Sequence, residues 1–343
     1  MPVLRMITIK EVSDRAKVSI STVSRVINNT APVKESTRKR VFKAMKDLGY
    51  RPNSFAQGLV TNRSNNIGLV VTDLLGVFFG PLISSLERAL RESGYNLIIS
   101  VENYSSEEIK ETIDMLAGRR CDAIILFPYC LTDEELIALK EKSPPLVLLN
   151  RYVPELAGEC VIVDNEQGSH LAVDYLASIG HSRIACISGP LGNEEGRARL
   201  SGYRRSMENL GLSYDKDLVV EGDFTVEGGY VATQRLLKRS RDFTAIFACN
   251  DQMAAGAMKA LREAKLSVPE EISLVGFDDV EYASLLYPAL TTVRQPVNAM
   301  GKRAAALAIQ SIQGERRAQP APMFEPELVL RDSVAPPKTS PAS

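Results

Sequence analysis

Two hydrophobic periodicities divide the chain. Before about residue 50, apolar residues recur at helical spacing, whereas from Ile67 onward short apolar runs alternate with stretches of helical spacing. The first pattern predicts a small all-α unit. The second is typical of parallel sheets buried on both faces by helices. We therefore predict an α-helical head followed by an α/β body.

The N-terminal pattern predicts a pair of short helices. Thr8 and Glu11 fit a capping box that begins a helix over residues 9–16, and Ser19 fits the N-cap of a helix over residues 20–28. The three-residue link KVS between them is a tight turn.

A third helix is predicted in the segment ESTRKRVFKAMKDLGY, with Val41, Met45 and Leu48 facing inward and Gly49 as its stop. Two helices joined by a tight turn and supported by a third make a helix-turn-helix unit.

Ten apolar runs of strand type follow the head. They are NIGLVVTDL, NLIISVEN, CDAIILFP, PLVLLNR and CVIVDN, then RIACISGP, LVVEGDF, TAIFACND, ISLVGFDD and LTTVRQP. Ten runs are too many for one small sheet. The body is therefore predicted as two similar lobes, each a doubly wound parallel sheet.

The net charge of −1 conceals an asymmetry between head and body. Residues 1–63 carry 13 Lys and Arg against 4 Asp and Glu, while the remainder carries 28 against 38. A basic arm on an acidic body is the electrostatic footprint of a nucleic-acid-binding protein. The alternative is a solvated basic face without a partner.

Other classes of protein lack support in the sequence. No apolar run approaches the ~20 residues that span a bilayer, and charge appears too early for a secretory signal, so we expect a cytoplasmic protein. Translation could start at Met1 or Met6. Five scattered cysteines and two histidines show no metal-ligand spacing, and no nucleophile motif is present. We expect no metal, no cofactor and no catalytic residues.

In a helix-turn-helix unit, the second helix enters the major groove with its N-terminus first. Ile20, Ser21 and Thr22 would then meet base edges, with Arg25 one turn further along. Arginine offers a two-pronged donor to guanine, and Ser or Thr bonds phosphates or bases. The alternative is that the hydroxyls only cap the helix and that Arg25 is surface charge.

Polar residues follow several of the predicted strands, at the sheet edge where open parallel sheets bind ligands. They are Asp73, Asn150, Asn250, Asp251, Asp278 and Asp279. Short carboxylates and amides suit bidentate bonds to adjacent sugar hydroxyls. Asp251 and Asp279 are instead assigned to helix caps or a backbone tie.

Arg199, in the helical stretch EEGRARLSGY, could add a guanidinium to the same cleft. Phe78, Phe79 and Phe224 could stack on the apolar face of a pyranose. For Phe79 the alternative is a place in the lobe core.

Five segments carry a resemblance to a known family. They are ITIKEVSDRAKVSISTVSRVINN, YRPNSFAQGLV, FACNDQMAAGAMKAL, SLVGFDDV and LTTVRQP. Over nearly the whole chain the sequence resembles the lactose/galactose (LacI/GalR) repressor family of bacterial transcription regulators, and most closely the galactose- and β-glucoside-type members.

The resemblance implies a hinge at residues 53–60 that becomes helical on operator DNA. There Leu59 would wedge into the minor groove, and Gly58 would keep the hinge unfolded off DNA. The alternative for Leu59 is an exposed linker residue. The resulting candidate DNA-contacting residues are Ile9, Ile20, Ser21, Thr22, Ser24, Arg25, Asn28, Thr37, Tyr50, Asn53, Ala56 and Leu59.

The resemblance also implies an effector bound between the lobes. The residues it assigns to that contact are Asp73, Asn150, Arg199, Phe224, Asn250, Asp278 and Gln295. Purine-responsive members carry Arg and Thr where this chain has Asn193 and Glu195, which favours a galactoside, a β-glucoside or another hexose derivative. A purine effector is the alternative.

The predicted organisation is a head (1–52), a hinge and linker (53–65), a first lobe (66–163 with 295–322), a second lobe (164–294 with 323–333) and a disordered tail (334–343). The return of the last helix to the first lobe is implied by the resemblance. A short helix reads one half-site, so we expect a homodimer on a pseudopalindrome, and the C-terminus lacks the leucine heptads of the lactose-type tetramer. A periplasmic solute-binding protein and a sugar-modifying enzyme are the rival functions.

Overall fold

The computed structural model describes residues 7–28, 31–50, 63–72, 77–102, 105–315 and 323–338. The chain divides into two compact units, the head (Met1–Asn65) and the body (Asn66–Ser343). Four of the candidate residues, Asn53, Ala56, Leu59 and Asp73, lie outside the described residues.

The head is a three-helix unit, as predicted. Its helices are α1 (Ile9–Ala16), α2 (Ile20–Asn28) and α3 (Glu35–Leu48). The capping box of Thr8 and Glu11 begins α1, and the amide of Thr22 donates to the Ser19 hydroxyl at 3.2 Å. Gly49 ends α3 with a positive φ of 67°. A small core joins the helices and consists of Val12, Ala16, Val23, Val26, Val41 and Ala44.

The first sheet of the body has the order β2-β1-β3-β4-β5 and is parallel throughout. Its strands and helices, in chain order, are β1 (Asn66–Val71), α4 (Phe79–Glu92), β2 (Asn96–Val101), α5 (Ser106–Gly118), β3 (Ala123–Leu126), α6 (Asp133–Lys142), β4 (Leu146–Leu149) and β5 (Cys160–Val161). β1, β3, β4 and β5 are almost wholly buried, which is why these segments read as continuous apolar runs.

The second sheet has the order β11-β10-β9-β8-β6-β7, with only β11 antiparallel. Its elements are α7 (Asn165–Ser178), β6 (Ile184–Ser188), α8 (Glu194–Asn209), β7 (Val219–Glu221), α9 (Val226–Arg239), β8 (Ala245–Ala248), α10 (Asp251–Glu263), β9 (Ser273–Asp278), β10 (Thr291–Arg294) and β11 (Glu327–Val329). All ten predicted strands are present. The short edge strand β11 was not predicted.

The chain passes between the two sheets more than once. After β10 it forms α11 (Val297–Ile312), whose Met300 and Ala304 pack into the core of the first sheet. Phe324 then bridges to Val163, and β11 joins the second sheet. The two sheets therefore lie in one unit that is connected by several segments, with the carboxyl ends of their strands available to form a cleft.

The prediction of a disordered tail from residue 334 is wrong for residues 334–338. The amide of Ala335 donates to the Ser273 hydroxyl at 3.0 Å, and its carbonyl accepts from Ser273 and His181 at 2.9 Å each. Val334 packs on the core of the second sheet. The polar composition of this segment concealed these fixed partners.

Helices α9 and α10 cross at glycines. A methyl group at Gly256 would lie 2.0 Å from the Val226 carbonyl oxygen and 2.6 Å from the Tyr230 nitrogen, both backbone atoms. Alanine is the better helix former by ~1 kcal/mol. Packing should nevertheless dominate, because the backbone of α9 cannot move aside cheaply.

We therefore expect Gly256→Ala to lower the free energy of unfolding by about 1–3 kcal/mol, measured by urea denaturation of the body. The matched control is Gly118→Ala at the end of α5, where a methyl group meets nothing within 4 Å. Unchanged or raised stability of Gly256→Ala would show that the two helices separate freely.

Candidate functional site

The outer face of α2 carries the predicted base-reading residues. Val23 and Val26 point into the head core, which leaves Ile20, Ser21 and Arg25 exposed on the opposite face. Ile20 is 45% exposed, so its apolar side chain is accessible to a partner. This face therefore presents an apolar contact, a hydroxyl and a guanidinium at helical spacing.

Several hydroxyl and amide groups at this face bond to one another. The Ser19 hydroxyl lies 2.8 Å from those of Ser21 and Thr22, and the Asn28 amide donates to the Ser24 hydroxyl at 3.2 Å. Ser19 thus caps the helix, in agreement with that reading of its role.

Three further DNA-contact candidates lie away from α2. Ile9 and Tyr50 pack partly buried against the head core, and Thr37 is half-buried in the first turn of α3. Contact of any head residue with DNA stays a prediction.

Both lobes contribute side chains to one cleft in the body. Its lining residues are Phe78, Phe79, Tyr129, Asn150, Asn193, Glu195, Arg199, Asp223, Phe224, Thr225, Asn250, Gln252, Asp278 and Gln295. These include every effector-contact candidate that the structure describes. The structure brings the strand-end residues together, as expected for the carboxyl edges of parallel sheets.

Arg199 is the central cation of the cleft and is only 3% exposed. Its Nε donates to Asn165 at 2.8 Å, and its Nη1 donates to the Cys249 carbonyl at 2.6 Å and to Asp278 at 3.3 Å. The guanidinium also lies 3.8 Å from the centroid of the Phe277 ring. These contacts fix Arg199 in place before any ligand arrives.

Asp278 ends β9 and pairs with this guanidinium. Its Oδ1 also accepts from the Gln295 amide at 2.6 Å. Burial raises the pKa of Asp278 to about 6, against the lowering effects of Arg199 and Gln295. The residue has a φ of 115°, a left-handed backbone conformation that is rare outside glycine and often marks a functional site.

Two buried acceptors of the cleft receive no hydrogen bond from the described residues. They are the Asn150 Oδ1 and the Gln295 Oε1, on side chains that are 8% and 3% exposed. A buried acceptor without a donor is unfavourable, so a ligand that donates hydrogen bonds there gains binding energy. The polar arrangement thus favours a ligand with several hydroxyl or N–H groups.

Aromatic rings form the apolar part of the cleft. Phe79 packs edge-on against Phe78 and Phe127, with ring centroids 5.5 and 5.1 Å apart, so it belongs to the lobe core and the cleft lining at once. The Phe224 ring covers Gly189, where a methyl group would lie 2.1 Å from the ring. Gly189 therefore allows the close approach of Phe224.

The predicted cap at Asp251 is wrong. Asn250 is the N-cap of α10: its Oδ1 accepts from the Met253 amide, and its Nδ2 donates to the Phe224 carbonyl, both at 2.9 Å. Asp251 is the next residue, fully buried, and accepts from the Val280 amide and the Thr292 hydroxyl. Asn250 therefore lines the cleft, but its side-chain oxygen is occupied by the hydrogen bond that caps α10.

Asp279 is also not a cap. Its two oxygens accept from Arg294 and Arg331 at 2.7 and 2.6 Å. It clamps the second sheet to the segment that follows β11.

Glu195, in the first turn of α8, is a cleft residue that the strand-end reasoning did not propose. It follows no strand. Its side chain is 5% exposed, and burial raises its pKa to about 7, while Arg199 and a hydrogen bond from Asn150 act in the opposite direction. The second of two adjacent glutamates after Asn193 is typical of an ordinary acidic first turn of a helix, so its burial could not be inferred from the sequence.

The raised pKa of Glu195 predicts a pH-dependent stability. Ionisation is harder in the folded chain than in the unfolded one, so stability falls as pH rises from about 4.5 through about 7. Glu195→Gln removes this penalty. Because Asp278 titrates in both proteins, the difference between wild type and variant isolates Glu195.

We expect Glu195→Gln to match or trail wild type at pH 5 and to exceed it by up to ~3 kcal/mol at pH 8, measured by urea denaturation across pH. A difference that does not change with pH would contradict the buried, unpaired state of this carboxyl.

The described ranges hold no group of three or more His, Cys, Asp or Glu side chains able to bind a metal ion. Nor, in the same ranges, does any helix combine the length and apolar character needed to cross a bilayer.

Comparison with known proteins identifies the family. Residues 8–53 match the bacterial regulatory proteins of the lacI family, and residues 173–334 match the periplasmic binding protein-like domain. The chain is 38% identical over 330 residues to the HTH-type transcriptional regulator GalS of Salmonella typhimurium, which covers 96% of this chain and 97% of GalS. The chain belongs to the lacI family of bacterial regulatory proteins.

Solved structures agree with this assignment. The lac repressor dimer bound to operator and the anti-inducer ONPF superposes with a TM-score of 0.88 at 30% identity, over 96% of this chain and 100% of that one. The transcriptional regulator CelR in complex with cellobiose gives a TM-score of 0.73 at 34% identity, over 95% and 99%. This lacI-family chain is thus a DNA-binding transcriptional regulator and not an enzyme.

The family includes members that differ in effector. The HTH-type transcriptional repressor PurR of Vibrio atlanticus is 35% identical to this lacI-family chain, over 96% of it and 99% of PurR. Family membership therefore establishes a regulator and leaves its ligand open.

Proposed function

We propose that this regulator represses carbohydrate-utilisation genes, acts in the cytoplasm as a homodimer on a pseudopalindromic operator, and answers to a sugar bound between the lobes of its body. The observation that carries the proposal is the cleft. It combines the fixed Arg199–Asp278 pair, the free acceptors of Asn150 and Gln295, and the Phe224 ring.

This chemistry suits a pyranose. Vicinal hydroxyls both donate and accept hydrogen bonds, so they can pair with a carboxylate and a guanidinium side by side. The Asp278 Oδ1 is taken by Arg199 and Gln295, which leaves its second oxygen for the ligand. A galactoside, a β-glucoside or another hexose derivative is the proposed effector.

The relatives support a sugar but include a purine-type name. GalS and the CelR–cellobiose complex are the sugar-type comparisons, and PurR is the other. Asn193 and Glu195 line the cleft at the positions where purine-type members carry Arg and Thr. A buried carboxyl there gives the cleft an acid where the purine-type pair carries a cation and a hydroxyl.

DNA binding is proposed to use the head, with α2 in the major groove and Asn28 and Thr37 on phosphates. The hinge at residues 53–60, with Leu59 as wedge, is proposed to order on the operator. Two heads related by a dimer axis would then read two half-sites one helical turn apart.

A gel-shift with DNA from upstream of the regulator's own gene tests the function. A panel of hexoses, glycosides, disaccharides and purine bases is added to the complex. We expect salt-sensitive binding to one double-stranded site and a change in affinity with one sugar. A response to a purine base alone would overturn the sugar assignment while leaving the regulator intact.

A further inference from the structure

Glu195 is a buried carboxyl of the effector cleft that makes no ion pair with any described residue. It lies in the first turn of α8 beside Glu194, which does pair with a cation, Arg151 at 3.3 Å. Glu195 is the more buried of the two. Its hydrogen bonds come from the Asn150 side chain and from its own backbone amide.

The one cation that lines the cleft in the described part of the chain, Arg199, makes no ion pair with Glu195, although its charge acts against the burial that raises the pKa of Glu195. Arg199 is already held by Asn165, the Cys249 carbonyl and Asp278. Glu195, Asp278 and Asp223 all line the cleft, so its acids outnumber its bases by three to one. The cleft thus holds more acidic than basic side chains in a buried setting, where charges interact strongly.

We propose that Glu195 selects an effector without negative charge, by accepting a hydrogen bond from a hydroxyl or ammonium group of the sugar and repelling anionic groups. This inference deepens the proposed sugar function and rests on it. Free hexoses, neutral glycosides and amino sugars fit the cleft, whereas hexose phosphates and uronates do not.

The buried acceptors of the cleft that lack hydrogen bonds also favour an effector without negative charge. The Asn150 Oδ1 and the Gln295 Oε1 are buried without partners and need donors. A phosphate or carboxylate group brings only acceptors at neutral pH, so the group itself cannot supply the missing donors, and it adds a charge beside Glu195 and Asp278. A sugar hydroxyl or ammonium supplies the missing donor.

Binding should also move protons. A donor from the ligand stabilises the ionised form of Glu195, so its proton is released near neutral pH. The charged groups around Glu195 are Glu194, Arg199, Arg151, Asp223 and Asp278. Because Asp278 also titrates, the variant that removes only the Glu195 charge is needed to assign the proton.

The test is isothermal titration calorimetry with matched sugars on the full-length protein, Glu195→Gln and Glu194→Gln. The probes are galactose and glucose, their methyl β-glycosides, their 2-amino forms, their uronates and their 6-phosphates. Titrations in two buffers of different ionisation enthalpy count the protons.

We expect a neutral or amino sugar to bind, with its uronate and 6-phosphate at least ~100-fold weaker. Glu195→Gln should narrow this gap at least tenfold and abolish the proton release that Glu195 provides, whereas Glu194→Gln should keep the gap within a few-fold and retain a proton release. A 2-amino sugar that loses its advantage in Glu195→Gln would place an ammonium at Glu195, and equal binding of the amino and neutral forms would place a hydroxyl there.

An anionic sugar that binds wild type within tenfold of its neutral parent overturns the inference and leaves the sugar function standing. If folded Glu195→Gln prefers neutral over anionic sugars as strongly as wild type does, the inference is also overturned and the sugar function stands. If no sugar of any charge binds, the proposed sugar function fails, and the inference fails with it. Folding of each variant is checked by its urea denaturation curve.

Discussion

Replacing Asp278 with alanine is expected to abolish the response to effector while leaving operator affinity intact. Its carboxylate accepts from Arg199 and Gln295, and it offers its other oxygen to the cleft. A hydrogen bond to a charged group contributes ~1.5–3 kcal/mol. Loss of this contact and of the fixed Arg199 geometry should therefore weaken sugar binding at least ~100-fold.

Alanine also removes the partner of a buried cation, which costs stability on the order of 3–5 kcal/mol. Asp278→Asn is the milder variant, since it keeps the shape and one acceptor. It should fold and still lose most of its effector affinity in calorimetry.

The matched control for Asp278 is Asp279→Asn, which removes the adjacent carboxylate. Asp279 pairs with Arg294 and Arg331, and neither arginine lines the cleft. Its loss should lower stability and leave effector affinity within a few-fold. Sugar binding that survives in Asp278→Asn would remove this residue from the site.

Replacing Arg25 with alanine is expected to weaken specific operator binding by about 1–3 kcal/mol, roughly 5- to 150-fold, and to leave sugar binding unchanged. The reason is its position on the exposed face of α2, one turn beyond Ser21. A guanidinium there can pair with the O6 and N7 of guanine. Fluorescence anisotropy with operator DNA and with random DNA measures the specific and the non-specific DNA affinity.

Arg25→Lys separates base reading from phosphate contact. Lysine keeps the charge but not the planar pair of donors, so it should retain non-specific binding while losing discrimination. If Arg25→Ala instead weakens specific and random DNA equally and lowers the salt slope by about one, Arg25 is a phosphate contact.

Local signals made most of the fold predictable. The capping box at Thr8, the hydroxyl of Ser19 and the stop at Gly49 each act within four residues, and all are present in the structure. The ten strands were predictable because parallel strands buried on both faces are apolar at nearly every position. β11 was missed because it is a short edge strand with partly exposed residues.

The cleft was predictable to the extent that it follows strand ends. Asn150 and Asn250 follow β4 and β8, Asp278 ends β9, and parallel strands bring such residues to one edge. The predictions that were wrong concern residues whose hydrogen-bond partners lie far away in the sequence. Whether Asn250 or Asp251 caps α10 is decided by Val280 and Thr292, which occupy the Asp251 carboxylate.

The place of Glu195 in the cleft was not predicted for the same reason. Its burial depends on first-lobe residues beside the first turn of α8, among them Asn150 and Arg151, and no pattern near it in the sequence indicates that contact. The tail is a similar case, because its partner His181 lies 154 residues earlier in the chain than Ala335.

The central claim is that the head and the cleft are coupled. The measurement that tests it most directly is a thermodynamic cycle: operator affinity with and without saturating sugar, and sugar affinity with and without operator. Linkage requires the two ratios to be equal, and we expect a common factor of about 5–150. If both ligands bind and the factor is one, sugar binding in the cleft does not change the affinity for operator DNA. That result would contradict the account.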